Sequence, residues 1–164
     1  MWTKFLLCLV AILVFGNAGA TVRAQGTVRS GPDPATIRDP ELEKDSLHNF
    51  EVARNYFKLK KAYVAALKRL EEIIAGNPNF TKIEEVLLMA GQSSLWLAEG
   101  KGKQKPDQYV TFDGGVKHTL TREQFREMGR GYLSKLVTDY PNSPFAKEAQ
   151  EELRSLETTV SAKP

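Results

Sequence analysis

The stretch from Leu47 to Pro78 constrains this chain most, because part of it is used twice. Measured back from a proline, Ala66, Leu70, Ile73 and Pro78 have the same spacing as Gly129, Leu133, Leu136 and Pro141. Each proline is followed by an asparagine, Asn79 or Asn142. A small residue, a large apolar residue one turn on, a second apolar residue and a helix-stopping proline together describe one packed helical unit. Such a unit cannot cover its own apolar face, so neighbouring pairs must stack. The expected fold class is all-α: about five helices in antiparallel pairs, with one irregular insertion.

The helix ends are marked locally. Asp39-Pro40 reads as an N-cap followed by a proline at the first helical position. Leu47, Phe50, Ala53, Tyr56 and Phe57 recur at helical spacing, as do Tyr63, Ala66, Leu67, Leu70, Ile73 and Ile74. The period allows one helix from Pro40 to Ala75. Uncapped runs of that length are unusual outside coiled coils, so two helices are expected, breaking near Leu59-Lys60-Lys61, where no local signal forces a break. Gly76-Asn77-Pro78 is a stop, with Gly76 available for a left-handed cap. Thr81 with Glu84, and Thr121 with Gln124, are capping-box patterns opening two further helices. The first of these presents Ile83, Leu87, Ala90, Gly91, Ser94 and Ala98 and ends at Gly100. The second presents Phe125, Met128, Gly129, Tyr132, Leu133 and Leu136. Ser143-Pro144 opens the last helix. Ala66, Gly91 and Gly129 lie where helix axes would cross closely. A mid-helix glycine costs about 1 kcal/mol against alanine; close packing offsets this at Gly129, and Gly131 has no such account.

Between Lys101 and Leu120 the helical period disappears. Asp113-Gly114-Gly115, flanked by Tyr109 to Phe112 and Val116 to Thr119, is a hairpin signal, with a bare loop as the equal alternative. The chain start reads as a secretory signal: Lys4, then the uncharged run Phe5 to Phe15, then small residues that suit a cut before Thr21 or before Gln25. The expected organisation is a signal peptide over 1–24, a flexible linker over 25–38, a helical domain over 39–158 with its insertion at 101–120, and a frayed tail over 159–164. Cys8 is the single cysteine, and Leu7 directly before it speaks for export without a lipid. With 1–24 removed no thiol remains, which excludes disulfides, thiolate zinc sites and thiol catalysis.

Chemistry is sparse. The net charge is +3, and Lys and Arg alternate with Glu along helical faces, so nucleic acid is not an expected partner. His48 and His118 lie in different elements with no metal-binding spacing. Gly100-Lys101-Gly102-Lys103 lacks the spacing of a phosphate loop. Glu71-Glu72, Glu84-Glu85 and Glu151-Glu152 are adjacent pairs, which do not face each other on a helix. No catalytic residue, metal, cofactor or small-molecule substrate is expected.

The spacing of Tyr63, Ala66, Leu70 and Pro78 resembles a tetratricopeptide repeat. AYVAALKRLEEIIAGNPNF (Ala62 to Phe80) and YPNSPFAKEAQEEL (Tyr140 to Leu153) resemble the outer-membrane assembly lipoproteins, the BamD-like family, over roughly Glu41 to Leu156. The resemblance implies a right-handed stack of helix pairs acting as a periplasmic scaffold. Its partners would be other envelope proteins, among them the machinery that inserts β-barrels into the outer membrane. In such repeats the first helix of each pair lines a concave groove, which puts Glu51, Asn55 and Lys58, then Leu88, Gln92 and Trp96, on a protein-binding surface. Trp96 reads equally as a peptide anchor and as core. Lys60-Lys61 and Lys101 to Lys105 read as solvated, or as peripheral contacts to anionic lipid or an acidic partner. A tetratricopeptide adaptor for cell-wall or division machinery is the alternative, and a small hydrolase a remote third.

Overall fold

A computed structural model describes residues 39–161, with side chains to 158. The signal peptide over 1–24, the linker over 25–38 and the last residues of the tail lie outside the described residues. Five α-helices follow in order: α1 Pro40–Asn55, α2 Tyr63–Gly76, α3 Ile83–Ala98, α4 Arg122–Asp139 and α5 Ala146–Ser161. Each packs on the next in sequence. Short connections impose that order on antiparallel neighbours, and α3 and α4 keep it across the long segment between them. The fold is all-α and tetratricopeptide-like, interrupted by one irregular insertion.

α1 starts as its sequence dictates. Asp39 Oδ1 accepts the Glu41 and Leu42 amides at 2.9 and 3.4 Å, with Pro40 at the first helical position. At its other end α1 widens into a π-helical turn, Tyr56–Lys60, and stops at Lys61, which is left-handed with φ 50°. The Ala62 amide reaches back to the Tyr56 carbonyl at 2.9 Å, closing the turn. The break therefore falls in the Leu59-Lys60-Lys61 stretch, as the length of the run leads one to expect, on a residue that pays for its conformation.

Two expectations about helix ends are corrected. Gly76 does not adopt a left-handed cap. It is the last residue of α2, and Asn77 leaves the helix with an extended φ of −141°. Thr81 does not form a capping box with Glu84. Its amide donates to Glu43 Oε1 at 3.0 Å and its hydroxyl bonds the same carboxylate, so α3 begins at Ile83, after Lys82 as N-cap, without a side-chain cap. A charged acceptor on α1 outcompetes the local partner because charge-assisted hydrogen bonds are the stronger kind. The second box forms: Thr121 and Gln124 exchange side-chain and backbone bonds at 2.8 and 3.2 Å. Ser143 accepts the Phe145 amide at 3.2 Å just ahead of α5.

Phe50, Leu67, Leu70, Phe80, Leu87, Leu97, Phe125, Leu133 and Leu136 are fully buried. Each contributes about 1.5–3 kcal/mol of burial. α3 lies deepest, with 13 of its 16 residues buried, including the polar Gln92, Ser93 and Ser94. α3 and α4 touch backbone to backbone through glycines. A Cβ on Gly91 would sit 2.7 Å from Leu133, and one on Gly129 would sit 2.8 Å from Leu95 and 3.0 Å from the Gly91 carbonyl.

The insertion is ordered into a hairpin, β1 Val110–Asp113 against β2 Val116–Thr119, antiparallel with Val110 opposite Thr119. Gly114 and Gly115 turn it with φ of 54° and 82°, the paired positive values that a tight two-residue turn demands. Three ties fasten the insertion to α2 and to the stop residue ahead of it. The Lys103 amide donates to the Lys61 carbonyl at 2.9 Å. Gln104 Oε1 accepts the Ala65 amide at 3.0 Å, serving one of the unsatisfied donors at the start of α2. The buried Tyr109 donates its hydroxyl to Glu71 at 2.8 Å, and Tyr132 of α4 donates to the same carboxylate at 3.0 Å.

Candidate functional site

α1 is the first described helix, and α2 covers only one of its faces. On the other, residues one turn apart open a cleft of about 370 Å³ lined by His48, Glu51, Val52, Asn55, Tyr56 and Lys60. The π-helical turn shapes its end. Lys60 is five positions beyond Asn55, and the wider turn keeps both on the cleft wall where a regular helix would rotate Lys60 away. The Lys60 ammonium stands 4.8 Å from the centre of the Tyr56 ring, a cation–π contact. Glu51 is 3.5 Å from Arg54, whose guanidinium also lies 3.8 Å from Glu85 of α3. The cleft thus offers an apolar wall from Val52 and the Tyr56 ring, an anion, a cation, an imidazole and an amide.

The six residues expected on the groove divide. Glu51 and Asn55 are exposed and come together in the cleft. Lys58 is exposed on the π-helical turn and does not line it. Leu88 and Gln92 are corrected as groove residues, since they are only 5% and 8% exposed. The physical reason at Gln92 is α5: its amide nitrogen donates to Glu148 at 2.8 Å and to Glu152 at 2.6 Å, so the last helix lies over it. Trp96 is half-buried, stacked on Phe57 at 4.9 Å and 20° and held 4.7 Å from Tyr63. It belongs to the core cluster.

His48, Val52, Tyr56 and Lys60 were not singled out from the sequence as site residues. The signal was there, since His48, Val52 and Tyr56 sit four apart beside Glu51 and Asn55. Reading Tyr56 only as core hid it. Among the described residues no three His, Cys, Asp or Glu side chains are placed to hold a metal ion, and no helix is long and apolar enough to cross a membrane.

The family model described as outer membrane lipoprotein, YfiO, matches residues 40–163. The chain belongs to that family. No curated protein and no solved structure matches the chain significantly. The outer membrane lipoprotein family is BamD-like and built on tetratricopeptide repeats. Its members are non-enzymatic scaffolds of outer-membrane assembly, which places this chain among exported, envelope-associated proteins with protein partners.

Proposed function

We propose that the chain is a periplasmic scaffold of the outer-membrane β-barrel assembly type, without enzymatic activity, that holds a partner protein along the uncovered face of α1. The observation that carries this reading is the cleft itself: Glu51 and Asn55, expected on the groove from repeat spacing, share one concave surface with His48, Val52, Tyr56 and Lys60. Its volume is at the lower end for small-molecule sites. Its mixture of an aromatic wall with both charges suits one or two side chains of a docked polypeptide. Lys58 extends the same helix face outward, while Leu88, Gln92 and Trp96 act from within, holding α3 against its neighbours beneath the groove.

The test is recovery of partners from envelope extract with the wild-type chain and with Glu51→Lys combined with Asn55→Arg. Both positions are exposed, so the fold is expected to survive, which circular dichroism checks. The double variant should lose components of the barrel-assembly machinery that the wild type retains. Equal recovery would remove the cleft from the function. Recovery of cell-wall or division proteins in their place would remove the assembly role.

A further inference from the structure

The structure draws two lysine runs that are distant in sequence into one surface. The first is the π-helical turn and its stop, with Lys58, Lys60 and Lys61; the second is the loop after α3, with Lys101, Lys103 and Lys105. The Lys103 amide to the Lys61 carbonyl, 2.9 Å, joins them directly. Gly102 lies so close beneath that a Cβ would be 2.7 Å from the Lys61 oxygen and 2.5 Å from the Tyr63 ring. The Lys101 amide bonds the Trp96 carbonyl at 2.8 Å, and Gln104 is tied to Ala65. The loop is held in place, and all six lysines are exposed.

Their charge is almost unopposed. Among the described residues only Lys101 has a carboxylate within ion-pair distance, that of Glu99. These two segments carry six lysines against one glutamate in a chain whose net charge is +3, so the remaining residues are net acidic. Gathering like charges opposes folding by self-repulsion. Between Lys58 and Lys60 the chain also presents Leu59, at 74% the most exposed of the large apolar residues on the described surface. An exposed leucine flanked by exposed lysines matches the boundary of an anionic bilayer: lysines reach the headgroup phosphates while the apolar group enters beneath them. An acidic protein surface would satisfy the lysines but leave Leu59 facing charge.

We infer that this surface, Lys58 to Lys61 with Lys101, Lys103 and Lys105, docks the protein onto an anionic phospholipid bilayer, with Leu59 entering the interface. The contact shares Lys60 with the partner cleft and otherwise lies outside its lining, and it would orient the α1 groove relative to the membrane plane.

The experiment is sedimentation of the full chain with phosphatidylcholine vesicles, with and without phosphatidylglycerol. Any binding through the uncharged run Phe5 to Phe15 contributes equally to both, so the readout is the preference for the anionic vesicles. The wild type should show that preference and lose it as salt rises from about 0.1 M to about 1 M, which shortens the Debye length from about 10 to about 3 Å. Lys61→Glu, Lys103→Glu and Lys105→Glu combined, none of them cleft residues, should weaken anionic-vesicle binding on the order of a hundredfold. Partner recovery through the α1 cleft should be unchanged. Leu59→Ser should lower the binding several-fold. A wild type without preference between the vesicles overturns the proposal, as does a triple variant that binds like the wild type while folded by circular dichroism. Unchanged binding by Leu59→Ser overturns the insertion. Capture of polyglutamate by the wild type with no vesicle binding would replace the bilayer with an acidic polypeptide.

Discussion

Gly129 and Gly131 occupy one helix two residues apart and carry opposite burdens. At Gly129 a methyl group would meet Leu95 and the Gly91 backbone, whereas at Gly131 it would meet nothing within 4 Å. Alanine at 131 should therefore raise stability by about 1 kcal/mol through helix propensity alone. Alanine at 129 should lower it by about 1–3 kcal/mol, because one of the crowding atoms is backbone and cannot rotate aside. Urea midpoints at constant m-value measure both. The close approach at Gly129 was legible because the repeat aligns it with Ala66. Lys61 was not. The αL conformation costs a non-glycine residue about 1–2 kcal/mol, and nothing in the letters announces that the Lys103 amide and Gly102 hold it there from forty residues away.

Among the elements, the insertion was half readable. Asp113-Gly114-Gly115 encodes a tight turn, and the hairpin forms on it. The ties that fix the insertion join Gln104 to Ala65 and Tyr109 to Glu71, separations over which periodicity carries no information. The same limit defeated the Thr81 cap, whose partner Glu43 lies on another helix. The Glu71 tie has a pH signature. Burial raises its carboxyl above the ordinary 4.5, against the lowering effects of the Tyr109 and Tyr132 hydrogen bonds and of Lys68. The folded state then holds the proton more tightly than the unfolded chain. The stabilisation is complete below about 4.5 and is lost as pH rises through the folded value. Burial pushes both phenols upward as well, so they stay neutral donors beyond pH 10. Replacing Glu71 by Gln should flatten the fall in urea midpoint on the alkaline side of pH 4.5, leaving the two proteins differing most in slope just above it.

At the scale of the whole described domain, the stripes of the sequence place every helix, and what they leave out is which face the last one covers. Repeat spacing puts Gln92 on the groove because repeat geometry assumes an open concave side. Glu148 and Glu152 of α5 occupy that side here. Burial raises the Glu152 carboxyl, and the charges of Glu148 and Glu99 push it the same way against the lowering effect of Gln92. Gln92→Leu removes the shared donor and leaves two like charges facing an apolar group. At neutral pH it should cost about 1.5–3 kcal/mol, the range for hydrogen bonds to charged groups. The loss should shrink as acid protonates Glu152, which urea denaturation at two pH values would register. The near-total burial of α3 has a dynamic counterpart. Its amides cannot meet solvent until flanking helices separate, so in deuterium oxide they should exchange last, at rates set by global unfolding, while the hairpin exchanges within local fluctuations. The domain loosens from its rim inward.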